Sequence, residues 1–150
     1  MGSDISGWVE TLYKEREDGF RYWVGVIKVD GLVERNYGMF GSLFDHRNVG
    51  GFAPIAARRG MPDDASDDAQ YLLLDRGGRE ATWISWDEIS AINWEDEGEE
   101  ETLGGQSFGR KVQRKDTLTP GWATLFKLME TLADAFGPAN VRMVVWFDFE

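Results

Sequence analysis

The chain has 150 residues, contains no cysteine and carries a formal net charge of -11 at pH 7, with a pI near 4.5. The missing cysteines exclude disulfides, thiol catalysis and thiolate zinc sites, and the negative charge argues against binding to extended nucleic acid, whose phosphates it would repel. The length favours a single domain, 1–150, with a core that needs no disulfide or metal. The start, MGSDISGWVE, has no basic region and no continuous apolar run. We therefore expect a cytoplasmic protein with no membrane partner.

Two strands are predicted near the N-terminus. Residues 5–13 and 20–29 are rich in β-branched and aromatic residues. The charged connection between them ends in Asp18-Gly19, a turn signal, so we expect an antiparallel hairpin. Both faces of the second strand are mostly apolar, which predicts a central strand or one covered on both sides.

The middle of the chain predicts short helices separated by a long loop. Residues 36–44 have apolar side chains at helical spacing, with Asn36 as a candidate N-cap. Residues 45–62 are punctuated by glycine and proline, and a loop of that length is more often functional than structural. The following PDDAS turn is suited to cap a helix over 67–74, although the LLL run there also fits a strand. A clearer helix begins at Ser85, which has capping-box spacing to Glu88.

Two segments before the C-terminal part are strongly charged. Residues 94–102 (WEDEGEEET) predict a solvated acidic loop, because burial of so many like charges would be costly. Residues 104–116 are rich in glycine and then basic, which fits either an edge hairpin or a loop.

The C-terminal part gives the strongest prediction. A helix is expected over 120–136, with Thr119 as N-cap, Pro120 in the first turn and Gly137 as the stop signal. Residues 141–149 then have the composition of a strand. The predicted fold class is α+β, with an antiparallel or mixed sheet, made of the N-terminal hairpin and the C-terminal strand, packed on the long helix.

No catalytic, cofactor or metal motif is present. There is no phosphate-binding GxxxxGK[ST] or GxGxxG pattern, and the nucleophile elbow of serine hydrolases is missing, so we expect no cofactor. The single histidine, His46, excludes a multi-histidine metal centre. It remains a candidate general base beside Asp45 or Asp64, or a hydrogen-bonded loop histidine without a catalytic role.

Arginines and aromatic residues concentrate between residues 35 and 86. A guanidinium binds phosphate or carboxylate through fixed donors and stacks on a base. The predicted ligand-binding residues are therefore Arg35, Arg47 and Arg59 for anionic groups, Asn36 and Asn48 for polar edges, Tyr37, Trp83 and Trp86 for stacking, and in addition Asp64. Alternatively, the arginines pair with local carboxylates such as Asp45 and Asp64 and hold the loop in place.

The segments RNYGMFGSLF, RN, PIAARRGMPDDAS and TWISWDEI, in that order, resemble a family of short, largely uncharacterised proteins of bacteria and bacteriophages. The most specific feature is the order Arg-Gly-x-Pro-x-Asp-x-Ser, matched here by Arg59, Gly60, Pro62, Asp64 and Ser66. Ser6 stands where that pattern often has histidine, and the usual histidine near residues 79–82 is absent. The resemblance implies a phage or mobile-element origin and an accessory role against host defence.

Three functional hypotheses follow. The first is a non-enzymatic protein that sequesters a small anionic, nucleotide-like molecule, such as an immune signal. The second is an acidic inhibitor that binds a host protein through residues 95–101, and the third is a hydrolase that uses His46 with Asp45 or Asp64. The many tryptophan and phenylalanine residues also make a homodimer a hypothesis to test.

Overall fold

A computed structural model describes residues 2–100 and 111–148 of the chain. In chain order, the strands are β1 (Ile5–Glu15), β2 (Arg21–Lys28), β3 (Arg79–Ser85), β4 (Glu97–Glu99), β5 (Lys111–Gln113) and β6 (Val141–Phe147). The α-helices are α1 (Tyr37–Phe44), α2 (Asp67–Arg76), α3 (Trp86–Ser90) and α4 (Pro120–Phe136), with single 3-10 turns at Arg114–Thr117 and Pro138–Asn140.

The main sheet has four antiparallel strands in the order β2-β1-β6-β3. The predicted α+β class, the N-terminal hairpin and its combination with the C-terminal strand are confirmed. The prediction omitted β3, which pairs with the far side of β6. This strand follows a glycine pair and begins with Arg79 and Glu80, so its first residues do not have the apolar composition of a strand.

The prediction that β2 is central is wrong, because β2 is the edge strand beside β1. Trp23 is buried, but Tyr22 and Val26 point to the surface and stay largely exposed. Helix α2 partly covers this strand, where the Asp68 carboxylate accepts a hydrogen bond from the Gly25 N–H at 3.2 Å. The apolar composition of β2 therefore reflects exposed aromatic surface rather than burial on two faces.

Helices cover both faces of the sheet. The larger core joins α1 and α4 to one face of β6, where Val145 and Phe147 are fully buried. The smaller core joins α2 to the other face through Val144 and Trp146. The strand predicted over 141–149 is thus confirmed over 141–147, and Phe149 lies outside the described residues.

The helix signals in the sequence correspond to real helix ends. Asn36 and Ser66 accept hydrogen bonds from backbone N–H groups of the first turns of α1 and α2, and Ser85 and Glu88 form the expected capping box of α3. Residues 67–76 are helical, which settles the choice between helix and strand. Thr119 occupies the N-cap position of α4, but its side chain makes no capping hydrogen bond, and its hydroxyl oxygen accepts a hydrogen bond from Asn36.

The two charged segments form a small sheet of their own. β4, within the predicted acidic loop, pairs antiparallel with β5. The prediction that 94–102 is all loop is therefore wrong for residues 97–99. Of the segment 104–116, the part up to residue 110 lies outside the described residues, and the remainder is β5 followed by a 3-10 turn.

Candidate functional site

The structure divides the predicted ligand-binding residues into two groups. Arg59 belongs to the first group, whose side chains are bound to other parts of the fold. Its guanidinium forms two hydrogen bonds with the Glu88 carboxylate, at 2.8 and 2.6 Å, and donates to the carbonyls of Trp83 and Ile55. It also lies 4.7 Å from the centre of the Trp83 ring. Arg59 and Trp83 therefore join the loop before α2 to α3.

The predicted polar contacts of Asn48 and Asp64 are also internal. Asn48 donates to the Phe52 carbonyl and accepts from the Phe52 N–H, at 2.7 and 3.0 Å. The Asp64 carboxylate accepts from the Trp23 indole at 3.1 Å and pairs with Arg142 at 3.0 Å. Each of these groups holds a loop in place.

Asn36 and Trp86 are engaged elsewhere in the fold. Asn36 caps α1 and donates to the Thr117 carbonyl at 2.7 Å. Trp86 lines a groove of about 380 Å³ between α3 and α4, together with Trp94 and Phe126. Trp86 therefore lines this groove and not the cavity that Arg35 lines.

The second group gathers around the first residues of the chain. The Tyr37 hydroxyl accepts hydrogen bonds from the Ser3 N–H at 2.9 Å and from Arg47 at 3.3 Å, and the Arg47 guanidinium lies 5.0 Å from the centre of the Tyr37 ring. Arg35 pairs with Asp4 at 2.8 Å. The structure therefore brings Arg35, Tyr37 and Arg47 together around residues 2–4.

His46 is buried beside this group, with both ring nitrogens engaged. Nδ1 lies 2.5 Å from the Glu80 carboxylate, Nε2 lies 2.8 Å from the Ser3 hydroxyl, and the ring stacks on Phe147 with centroids 3.8 Å apart. The order of serine, histidine and carboxylate is that of a hydrolytic triad. Ser3 is 0% exposed and His46 4% exposed, however, so a substrate has no access to the hydroxyl. The chain of hydrogen bonds anchors the N-terminal segment to β3 and to the end of α1.

His46 thus has partners other than the predicted Asp45 and Asp64. Asp45 ends α1 in a left-handed conformation, with φ of 58°, and its carboxylate pairs with Arg58 at 2.9 Å. The neighbouring Arg58 guanidinium holds the pKa of Asp45 below its usual range. Asp45 therefore pairs with a loop arginine, Arg58, as the alternative interpretation of the arginines predicted.

A polar cavity of about 440 Å³ opens on the other side of the N-terminal segment. Its walls come from the start of β1, the loop between β2 and α1, the end of α2 and the residue after β6. The lining residues that carry polar side chains are Asp4, Ser6, Asp30, Arg35, Arg76 and Asp148. Charged groups from four separate parts of the chain therefore face one concave surface.

The charges of this cavity form two ion pairs and one further carboxylate. Arg35 Nε contacts Asp4 at 2.8 Å and Arg76 Nη1 contacts Asp30 at 2.9 Å. Hydrogen bonding to Arg35 holds the pKa of Asp4 below its usual range, although burial opposes that shift. Asp148 Oδ1 accepts from the Asp4 N–H at 2.8 Å. At neutral pH the ionised cavity residues contribute two positive and three negative charges.

Both cavity arginines keep donors available. Arg35 uses only Nε and Arg76 only Nη1 for side-chain hydrogen bonds within the described residues, which leaves further N–H groups of each guanidinium unengaged. Both pairs are also partly exposed, and exposed pairs contribute only about 0–1 kcal/mol each. These two ion pairs therefore contribute little to the stability of the fold.

Sequence reasoning found Arg35 but did not assign Asp30, Arg76 or Ser6 to the site. Arg76 looks like an ordinary cation at the end of a helix, and Asp30 looks like part of an Asp-Gly turn. The sequence signal nearest to these residues is the pair Gly77-Gly78 directly after α2, because a glycine pair permits a sharp change of chain direction. That signal does not identify the residues across the cavity.

Among residues 2–100 and 111–148, no group of three or more candidate side chains is arranged to hold a metal ion. No protein-family model, curated protein or solved structure matches the chain. Within the described part of the chain, no helix combines the length and the apolar character needed to cross a bilayer.

Proposed function

We propose that the protein binds a small anionic, nucleotide-like ligand in the polar cavity and does not turn it over. The observation that supports this proposal is the placement of Arg35 and Arg76, from two separate elements, on one cavity with donors that no described residue engages. Guanidinium groups bind phosphate oxygens through paired N–H donors, which gives direction as well as charge complementarity.

The carboxylates of the cavity narrow the class of ligand. Asp4, Asp30 and Asp148 would repel a bare anion, because they outnumber the two arginines. A nucleotide carries hydroxyl and amino donors as well as phosphate, so it offers partners to both kinds of side chain. A cavity of about 440 Å³ lies within the usual size range of small-molecule sites.

The resemblance to phage-encoded proteins extends the proposal to a biological role. A protein that binds a nucleotide tightly and leaves it intact lowers its free concentration. Under this proposal the chain would sequester a nucleotide signal of host defence, in the cytoplasm of the host.

The two other hypotheses have less support from the geometry. The acidic surface that would bind a host protein is partly neutralised, since Glu95 pairs with Lys115 at 3.1 Å and Glu97 with Lys111 at 3.6 Å; Glu101 lies outside the described residues. Hydrolysis through His46 would require Ser3 or another nucleophile to become accessible. Recovery of the bound ligand chemically unchanged would distinguish binding from hydrolysis.

Calorimetry with a panel of linear and cyclic nucleotides tests the proposal. At least one nucleotide should bind, and Arg35→Gln and Arg76→Gln should each lower its affinity by about 10- to 100-fold, because hydrogen bonds between charged groups contribute about 1.5–3 kcal/mol. The matched control is Arg16→Gln, which removes the same charge from an exposed pair with Asp18 in the β1–β2 turn.

Two results would contradict the proposal. One is the absence of binding by every nucleotide in the panel at millimolar concentration. The other is binding whose affinity is the same in Arg35→Gln, Arg76→Gln and wild type. An equal loss in all three variants, including Arg16→Gln, would show a general effect of charge rather than a site.

A further inference from the structure

A second cavity adjoins the polar one at the end of α2. It measures about 430 Å³, and Gly77 lines both cavities. The other residues around the second cavity are Met61, Gln70, Leu73, Leu74 and Gly78. In contrast to the polar cavity, this lining has no charged side chain.

No described residue covers the outer part of this apolar lining. Leu74 is 85% exposed, although Leu72 on the same helix is buried in the smaller core. A single exposed leucine is common and has no functional meaning by itself. Here, however, Leu74 lines a cavity that shares Gly77 with a charged one, and a neighbouring apolar and polar cavity suit a ligand with one apolar and one polar end.

A glycine pair, Gly77 and Gly78, lies where the two cavities share a wall. Gly77 and Gly78 both have positive φ angles, of 71° and 159°. A side chain at Gly78 would collide with Cδ1 of Trp146. Glycine at position 78 therefore allows the chain to pass close to the buried Trp146 ring.

We infer that the two cavities form one site for a nucleotide, with the base against Met61 and Leu74 and the sugar and phosphate beside Arg35 and Arg76. This inference rests on the proposed function and adds that the base itself is bound. The apolar cavity offers contact area to the flat faces of an aromatic ring, while the polar cavity matches hydroxyls and phosphate. Ribose 5-phosphate, which lacks the base, should accordingly bind more weakly than a nucleotide.

The test compares AMP, CMP, GMP and UMP with ribose 5-phosphate, their common base-free fragment, by calorimetry on the full chain. The variant Met61→Gln/Leu74→Gln should lower the affinity for the best of the four nucleotides by about 5- to 20-fold, because it removes apolar contact without changing charge. The affinity for ribose 5-phosphate should stay within twofold of wild type. Tyr71→Gln is the matched control, since Tyr71 is 71% exposed on α2 but does not line the cavity.

The failures of this inference and of the proposed function are distinguishable. If Arg35→Gln weakens nucleotide binding while Met61→Gln/Leu74→Gln leaves it unchanged, the base lies elsewhere and only the present inference fails. The same conclusion holds if ribose 5-phosphate binds as tightly as every nucleotide. If neither the four nucleotides nor ribose 5-phosphate bind the wild-type chain, the present inference fails, and the proposed function fails with it when the cyclic nucleotides of the larger panel do not bind either. Circular dichroism of each variant verifies that it is folded.

Discussion

Arg142 and Glu10 form an ion pair that is almost fully withdrawn from water. Glu10 is 0% and Arg142 7% exposed, and Arg142 Nε contacts the Glu10 carboxylate at 2.7 Å. Glu10 also accepts a hydrogen bond from the Ser66 N–H at 2.7 Å, and the Arg142 guanidinium lies 3.9 Å from the centre of the Trp23 ring. The pair therefore connects β1 and β6 to the start of α2.

Replacing Arg142 with methionine should destabilise the protein by about 3 kcal/mol, because it leaves the Glu10 carboxylate buried without its counter-charge. Urea denaturation at pH 7 measures this change. Lys127→Met is the control, since Lys127 forms an exposed pair with Glu130 and its loss should cost no more than about 0.5 kcal/mol. A similar loss of unfolding free energy in the two variants would show that the buried pair stabilises the protein no more than the exposed pair does.

At the scale of the element, α3 depends on one carboxylate with two roles. Glu88 completes the capping box with Ser85 and receives both hydrogen bonds from Arg59. Hydrogen bonding to Arg59 is the largest cause that holds the pKa of Glu88 below its usual value of 4.5. A lowered pKa in the folded state means that ionised Glu88 stabilises the fold above pH 4.5 and that this contribution is lost as the pH falls below it.

The variant Glu88→Gln separates the two roles, because glutamine retains a side-chain acceptor for the capping box but carries no charge. At pH 7 it should be less stable than wild type by about 1 kcal/mol, and the difference should shrink as the pH falls to 3. Urea denaturation at four pH values between 7 and 3 measures the trend. Glu17→Gln, in the exposed β1–β2 turn, provides the charge-matched control. A difference that does not depend on pH would contradict a stabilising role of the ionised pair between Glu88 and Arg59.

Elements with local signals could be predicted from the sequence, and elements defined by distant partners could not. Helix α4 begins at Pro120 and ends before Gly137, and both limits depend on backbone properties of single residues. In contrast, β3 is a strand because it pairs with β6, more than fifty residues further along the chain. The capping residues Asn36 and Ser66 could be identified because capping is a local signal. The edge position of β2 could not, because it depends on which strands pair with β1.

The candidate site shows the same limit. Sequence composition predicted that arginines bind anionic groups of a ligand, and Arg35 does line the polar cavity. The sequence could not show that Arg59 is satisfied by Glu88, 29 positions away, whereas Arg76 lines the cavity with donors left over. Whether an arginine is engaged depends on which carboxylate the fold brings beside it, and that is a property of tertiary structure.

At the scale of the whole molecule, charge should select small ligands over polymers. With a net charge of -11, the protein repels a polyanion as a whole, even though two arginines are locally accessible. Fluorescence anisotropy with labelled single-stranded and duplex DNA at 0.15 M salt should show no binding at protein concentrations up to about 100 μM, the weak end of the range of typical non-specific binding. A lysine-rich protein of similar size serves as the positive control. Tight binding to either DNA would contradict the preference for small ligands.

The strand order β2-β1-β6-β3 has a consequence for synthesis on the ribosome. β6 lies between β1 and β3, so the centre of the sheet is missing until residues 141–147 have left the exit tunnel. Until then, β1 has a free edge, and such edges pair readily with other chains. Contacts between residues this distant also slow folding. Cells that produce the protein at high level should therefore need chaperones most during the interval between synthesis of the N-terminal hairpin and release of the last strand.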